Sequence, residues 1–139
     1  MRCATLLVLT LVATNVRAGP CLNYSSAAAT LTGVVHLKTF FGPPNYGEDP
    51  AHDRKETQAL LTLDQSVCVL QGDDSGLEPP EANQRIVTLW PEGSHLRLHT
   101  LQGKHIRVRG TISHSINGHH HTPILLGVER MSDIEVLSQ

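Results

Sequence analysis

Hydrophobic and β-branched positions come in short runs separated by dense clusters of turn formers, and the dominant spacing is two rather than three to four. Residues 30–41, TLTGVVHLKTFF, read as a first strand with Gly33 marking a bulge. The following stretch, with Gly42, Pro43, Pro44, Asn45 and Gly47, is too rich in turn formers to be anything but a loop. Residues 56–70 form a second strand with a kink at Asp64, Gln65 and Ser66, and 72–82 is an acidic, proline-bearing loop. A third short strand, 85–90, stops at Pro91. Between Pro91 and Gly103, Ser94 can cap a turn or two of helix that buries Leu98 and Leu101 and leaves Arg97 wet.

The clearest strand is 104–116, where Ile106, Val108 and Ile112 alternate with Arg107, Arg109 and Thr111, so one face is buried. Residues 122–128 supply a fifth strand, and the tail 132–139 has room for one more short one. Three strands, a short helix and two further strands is the element order of an OB-fold-like, five-stranded all-β barrel. An open β-sandwich is the competing arrangement. There are no internal repeats and no second domain, so 19–139 is expected to be one unit.

Residues 112–123, ISHSINGHHHTP, crowd four histidines onto one hairpin. A two-residue turn at Asn117 and Gly118 would set His114 opposite His121 and gather imidazoles on one face as in a metal site. That register would also turn Ile124, Leu126 and Val128 to the face carrying Arg107 and Arg109, which a single apolar interior does not allow. A three-residue turn instead pairs His114 with Thr122, Ile112 with Ile124 and Val108 with Val128. It leaves His114 and His120 facing inward near the barrel rim, with His119 and His121 more exposed. His114 and His120, joined by His36 from the first strand, are then the candidate ligands of a zinc or copper ion, although zinc usually takes at least three protein donors. The plainer alternative is a polar, hydrogen-bonded tip.

The ends and the charge narrow the setting. Arg2, the short apolar run 6–12 and the small residue at Ala18 have the layout of a secretory signal covering 1–18, cleaved before Gly19. Later segments are not apolar enough to cross a membrane as helices, and a lipid-modified Cys21 is disfavoured by the preceding Pro20. An exported chain meets an oxidising compartment, where Cys21 and Cys68 are expected to form a disulfide. The protein is therefore expected to be periplasmic or secreted. Thirteen acidic residues outnumber eleven basic ones, giving a formal charge of −2 with histidines neutral. Such a balance offers little of the counterion release that drives nucleic-acid binding, so nucleic acid is not an expected partner.

Residues 103–111, GKHIRVRGT, followed by 118–126, GHHHTPILL, resemble a family of exported bacterial proteins known as domain of unknown function 4431. The loop 41–47, FGPPNYG, looks like that family's second landmark. The resemblance implies an exported domain of the same fold and brings no activity, substrate or catalytic residue with it.

Chemistry is sparse elsewhere. Tyr46 stands in a loop beside the barrel mouth, where OB-folds often bind extended ligands. Phe40 and Phe41, by contrast, are expected in the core. Arg107 and Arg109 share an outer strand face that can hold an anion. The chain carries no nucleophile motif, metalloprotease helix or glycine-rich phosphate loop. The leading expectation is a binding or interaction module, not an enzyme, with Tyr46, Arg107, Arg109 and His120 facing an unidentified small molecule or protein. A histidine-dependent metal binder is the alternative, and an enzyme of unknown type the third reading.

Overall fold

The structure is a computed structural model that describes residues 21–24 and 28–138. The expected signal, 1–18, and its cleavage point lie outside the described residues. Six strands follow one another: β1 (Ala29–Phe41), β2 (Lys55–Val69), β3 (Glu81–Pro91), β4 (His105–His114), β5 (Ile124–Val128) and β6 (Ile134–Val136). Their order in the sheet is β1-β2-β3-β5-β4-β6, and β1 also pairs with β4, which closes the first five strands into a barrel. β3 and β5 run parallel and the other pairings are antiparallel. Closure is what separates this fold from the open sandwich, and it removes the free edges that the five main strands would otherwise present.

The interior is filled by alternate residues. Val35 on β1, Leu61 on β2, Val87 on β3, Ile106, Val108 and Ile112 on β4, and Ile124, Leu126 and Val128 on β5 are all fully buried. At about 25 cal/mol per Å² of apolar surface, each such side chain contributes roughly 1.5–3 kcal/mol on burial. The expected helix is a single 3₁₀ turn, Leu98–Leu101, and no side chain caps its start. Ser94 lies upstream of it. Leu98 and Leu101 are nonetheless buried and Arg97 exposed.

Two local expectations change. Gly33 is not a bulge, since β1 pairs continuously through it with Leu63 on one side and Ile106 on the other. A Cβ at this position would lie 2.1 Å from the Thr62 carbonyl oxygen, so glycine permits the close approach of two strands. Phe40 and Phe41 are only partly buried and lie outside the core cluster. The irregularity expected in β2 is present, with the β2–β3 register shifting between Thr62 and Val67.

Cys21 and Cys68 are bridged, with Cα atoms 4.5 Å apart. The Leu22 N–H donates to the Cys68 carbonyl and Leu22 accepts from the Leu70 N–H, so the start of the described chain lies beside the end of β2. Tyr24 follows into the core and donates its hydroxyl to the Pro79 carbonyl. Burial pushes its phenol up to about 12, with Glu81 and Glu78 adding to the shift.

Candidate functional site

The β4–β5 connection decides where the histidines go. The antiparallel register sets His114 opposite Ile124 and Ile112 opposite Leu126, two residues away from the pairs His114–Thr122 and Ile112–Ile124 that a three-residue turn would give. Val108 faces Ile134 of β6 across the strand rather than Val128. Because the offset is even, the same residues face inward, although the turn is longer than the three residues expected. The reason lies at Thr122. Its hydroxyl donates to the Ile124 carbonyl and accepts from both the Thr88 N–H and the Thr88 hydroxyl, all buried. This anchors Thr122 to β3 and leaves 115–123 as a broad loop, closed by the Ser115 N–H donating to the Pro123 carbonyl.

In that loop the three successive histidines diverge, and each meets a different aromatic ring. His119 sits edge-on to Tyr46 at 5.5 Å between ring centroids, His120 edge-on to Trp90 at 4.8 Å, and His121 stacks on Phe40 at 3.7 Å and 7°. All three are partly buried, and the His119 side chain, 40% exposed against 19% for His114, is the more open of that pair as expected. Burial lowers the His120 and His121 pKa values below the ordinary histidine range; for His121 the Glu56 carboxylate opposes the shift. His114 is turned away, its Nε2 3.1 Å from Glu81 and its ring edge-on to Tyr24. His36 is exposed on β1, across from Leu60. His36, His114 and His120 are thus not brought together, and among the described residues no group of three or more His, Cys, Asp or Glu side chains is placed to hold a metal ion.

What the fold does assemble is a chain of three polar groups from three segments. Nδ1 of His119 lies 3.0 and 2.9 Å from the two Glu56 carboxylate oxygens at the start of β2, and its Nε2 lies 3.3 Å from the Tyr46 hydroxyl in the β1–β2 loop. A carboxylate on one ring nitrogen fixes the tautomer in which the other nitrogen accepts a proton. Gly118 leaves room for this contact, since a Cβ there would lie 2.9 Å from Cε1 of Tyr46. Gln58 also donates its side-chain amide to the His119 carbonyl, tying the loop backbone to β2.

The β1–β2 loop, 42–54, is itself held from within. Asp53 accepts the N–H of Asn45 at 2.7 Å and of Gly47 at 2.6 Å. Partial burial works to raise the Asp53 carboxyl, but these N–H donors outweigh it and hold the pKa below the usual range. Between the two clamped residues Tyr46 has φ +52, a left-handed conformation that costs a non-glycine residue of the order of 1 kcal/mol. Tyr46 is 44% exposed, so the strained residue presents an aromatic side chain at the surface.

Beside this chain lies a cleft of about 270 Å³ whose walls include Glu56, Gln58, Trp90, Leu98 and His119. His120 and His121 each line a different depression, so the three successive imidazoles face three separate hollows. Of the ligand-facing residues expected from sequence, Tyr46 alone joins this chain; His120 lines a different depression with its ring against Trp90, and His119 stands where His120 was expected. Arg107 and Arg109 do not join them. Arg107 pairs with Glu135 of β6 at 2.7 Å, and Arg109 lines a separate cleft with Arg130 and Asp133. Glu56, Trp90 and Gln58 carry no signal in the sequence, because each sits singly in a strand pattern with no local motif to mark it.

No curated protein and no solved structure matches the chain. One family does match over residues 84–135, which run from within β3 through the histidine loop and β5 into β6. The expected landmark 41–47 lies outside that segment. Over 84–135 the chain is similar to the family described as Domain of unknown function (DUF4431).

Proposed function

We propose that the protein is a small exported binding module whose ligand site is the junction of loops 42–54 and 115–123 at the barrel mouth. The observation that carries this reading is the Glu56–His119–Tyr46 chain, which couples the two loops through partly exposed polar groups next to a cleft. A rigid barrel with an aromatic and hydrogen-bonding groups on its loops is an arrangement suited to recognition. The cleft pairs an apolar wall, Trp90 and Leu98, with the carboxylate of Glu56 and the imidazole of His119, which favours a small ligand carrying hydroxyl or amine donors. Export to a periplasmic or extracellular location is supported by the Cys21–Cys68 bridge, since disulfides persist in oxidising compartments. No helix among the described residues is long and apolar enough to cross a membrane.

A second reading, acid–base chemistry, draws on the same chain, because a carboxylate-oriented imidazole facing a phenol can pass a proton. Binding is preferred because the sequence around these residues carries no nucleophile motif.

A screen of small amines and sugars by backbone amide shifts tests the binding reading. Hits should perturb 42–54 and 115–123 and be weakened by Tyr46→Ala and Glu56→Gln. Hits that cluster elsewhere, or that ignore both substitutions, would refute it.

A further inference from the structure

A second surface lies on the outer face of β1, β2 and β3. It is a shallow groove of about 360 Å³ whose lining includes Lys38, Phe40, Leu60, Arg85, Ile86 and His121. Its floor is apolar although it faces outward. Leu60 is only 8% exposed, while Ile86, on the same side of the sheet, remains 43% exposed with no side chain folded over it. Its rim is cationic, and no carboxylate lines it.

Of the exposed lysines and arginines among the described residues, Arg107 and Arg130 pair with a carboxylate and the others do not. Lys38 and Arg85 form no ion pair among the described residues. Lys38 instead holds its ammonium 5.0 Å from the centre of the Phe40 ring, whose own stack with His121 forms one wall of the groove. Glu56, whose charge reaches His121, is committed to His119. Two unneutralised cations beside an unfilled apolar floor are complementary to a molecule with an anionic head and an apolar body.

We infer that this groove is a binding site for a monomeric amphipathic anion, a carboxylate, sulfonate or phosphate joined to a compact apolar group. The apolar body lies along Leu60, Ile86 and Phe40, and the head is held between Lys38 and Arg85. The groove is distinct from the cleft beside the Tyr46 junction, since the two share no lining residue.

The test uses the oxidised protein with anilinonaphthalene sulfonate as fluorescent probe and decanoate as competitor. Decanoate should displace the probe, and both should shift backbone amides around Lys38, Ile86 and His121. The double variant Lys38→Gln, Arg85→Gln should raise the Kd about tenfold, as expected for losing two partly solvated charge contacts. Ile86→Ser should weaken binding without altering the rim, and Tyr46→Ala should leave it unchanged. All three substituted groove positions are exposed, so an unchanged amide spectrum elsewhere reports that each variant is folded. The inference fails if the double variant binds as well as the parent, or if decyltrimethylammonium competes as well as decanoate. It fails equally if inorganic phosphate alone displaces the probe, or if anionic phospholipid vesicles are bound while decanoate is not.

Discussion

The Tyr46 hydroxyl lies 3.3 Å from Nε2 of His119, a contact between residues 73 apart in sequence that joins the two loops at the barrel mouth. Its geometry depends on a residue with no side chain. Gly118 lies against the Tyr46 ring, where a Cβ would approach Cε1 to 2.9 Å.

Gly118→Ala is therefore expected to displace the Tyr46 ring and break its contact with His119 while leaving the barrel intact. The site is on the surface, so the stability change should stay within about 1 kcal/mol. Loss of the nuclear Overhauser contacts between the two rings, with a melting temperature changed by no more than about 5 °C, would check it. Retention of those contacts would show that the loops yield elsewhere.

Thr122 is the anchor that sets the β4–β5 register. Thr122→Val keeps the shape but removes the acceptor for the buried Thr88 N–H and hydroxyl. Leaving such groups unpaired costs about 1–3 kcal/mol. Denaturant unfolding should show a loss in that range for valine and a smaller one for serine, which retains the hydroxyl.

The Cys21–Cys68 bridge closes a loop with a sequence separation of 47. Replacing both cysteines with serine should cost roughly 2–4 kcal/mol, chiefly by freeing the unfolded chain. Equilibrium unfolding of the double variant and of the oxidised parent gives the difference directly.

Acid should loosen the histidine loop. Burial holds the folded-state pKa values of His120 and His121 below the ordinary value of 6.5, so the unfolded chain takes up protons first as pH falls. Their contribution to stability is fully present above about pH 7, and it is lost as pH drops through 6.5 toward the depressed folded values. Phe40→Ala, which uncovers His121, should flatten that pH dependence. Denaturation midpoints measured across this window in parent and variant test the sign, and a midpoint that rises on acidification would contradict it.

The barrel was legible in the chain because strand patterning is local. Alternation in β4 marked Ile106, Val108 and Ile112 as interior, and the need for one apolar side decided the parity of the β4–β5 pairing before any coordinate did. The disulfide was legible for a similar reason, there being few cysteines to choose from. Length of the turn was not, because it depends on Thr122 reaching Thr88 on a strand that is distant in sequence. The site was hidden by the same cause. Three adjacent histidines read as a cluster along the chain, yet a loop sends consecutive side chains in different directions, and only the surrounding strands supply the rings that each one meets. Glu56, Trp90 and Phe40 become partners through barrel closure, a long-range constraint that no short window of sequence contains.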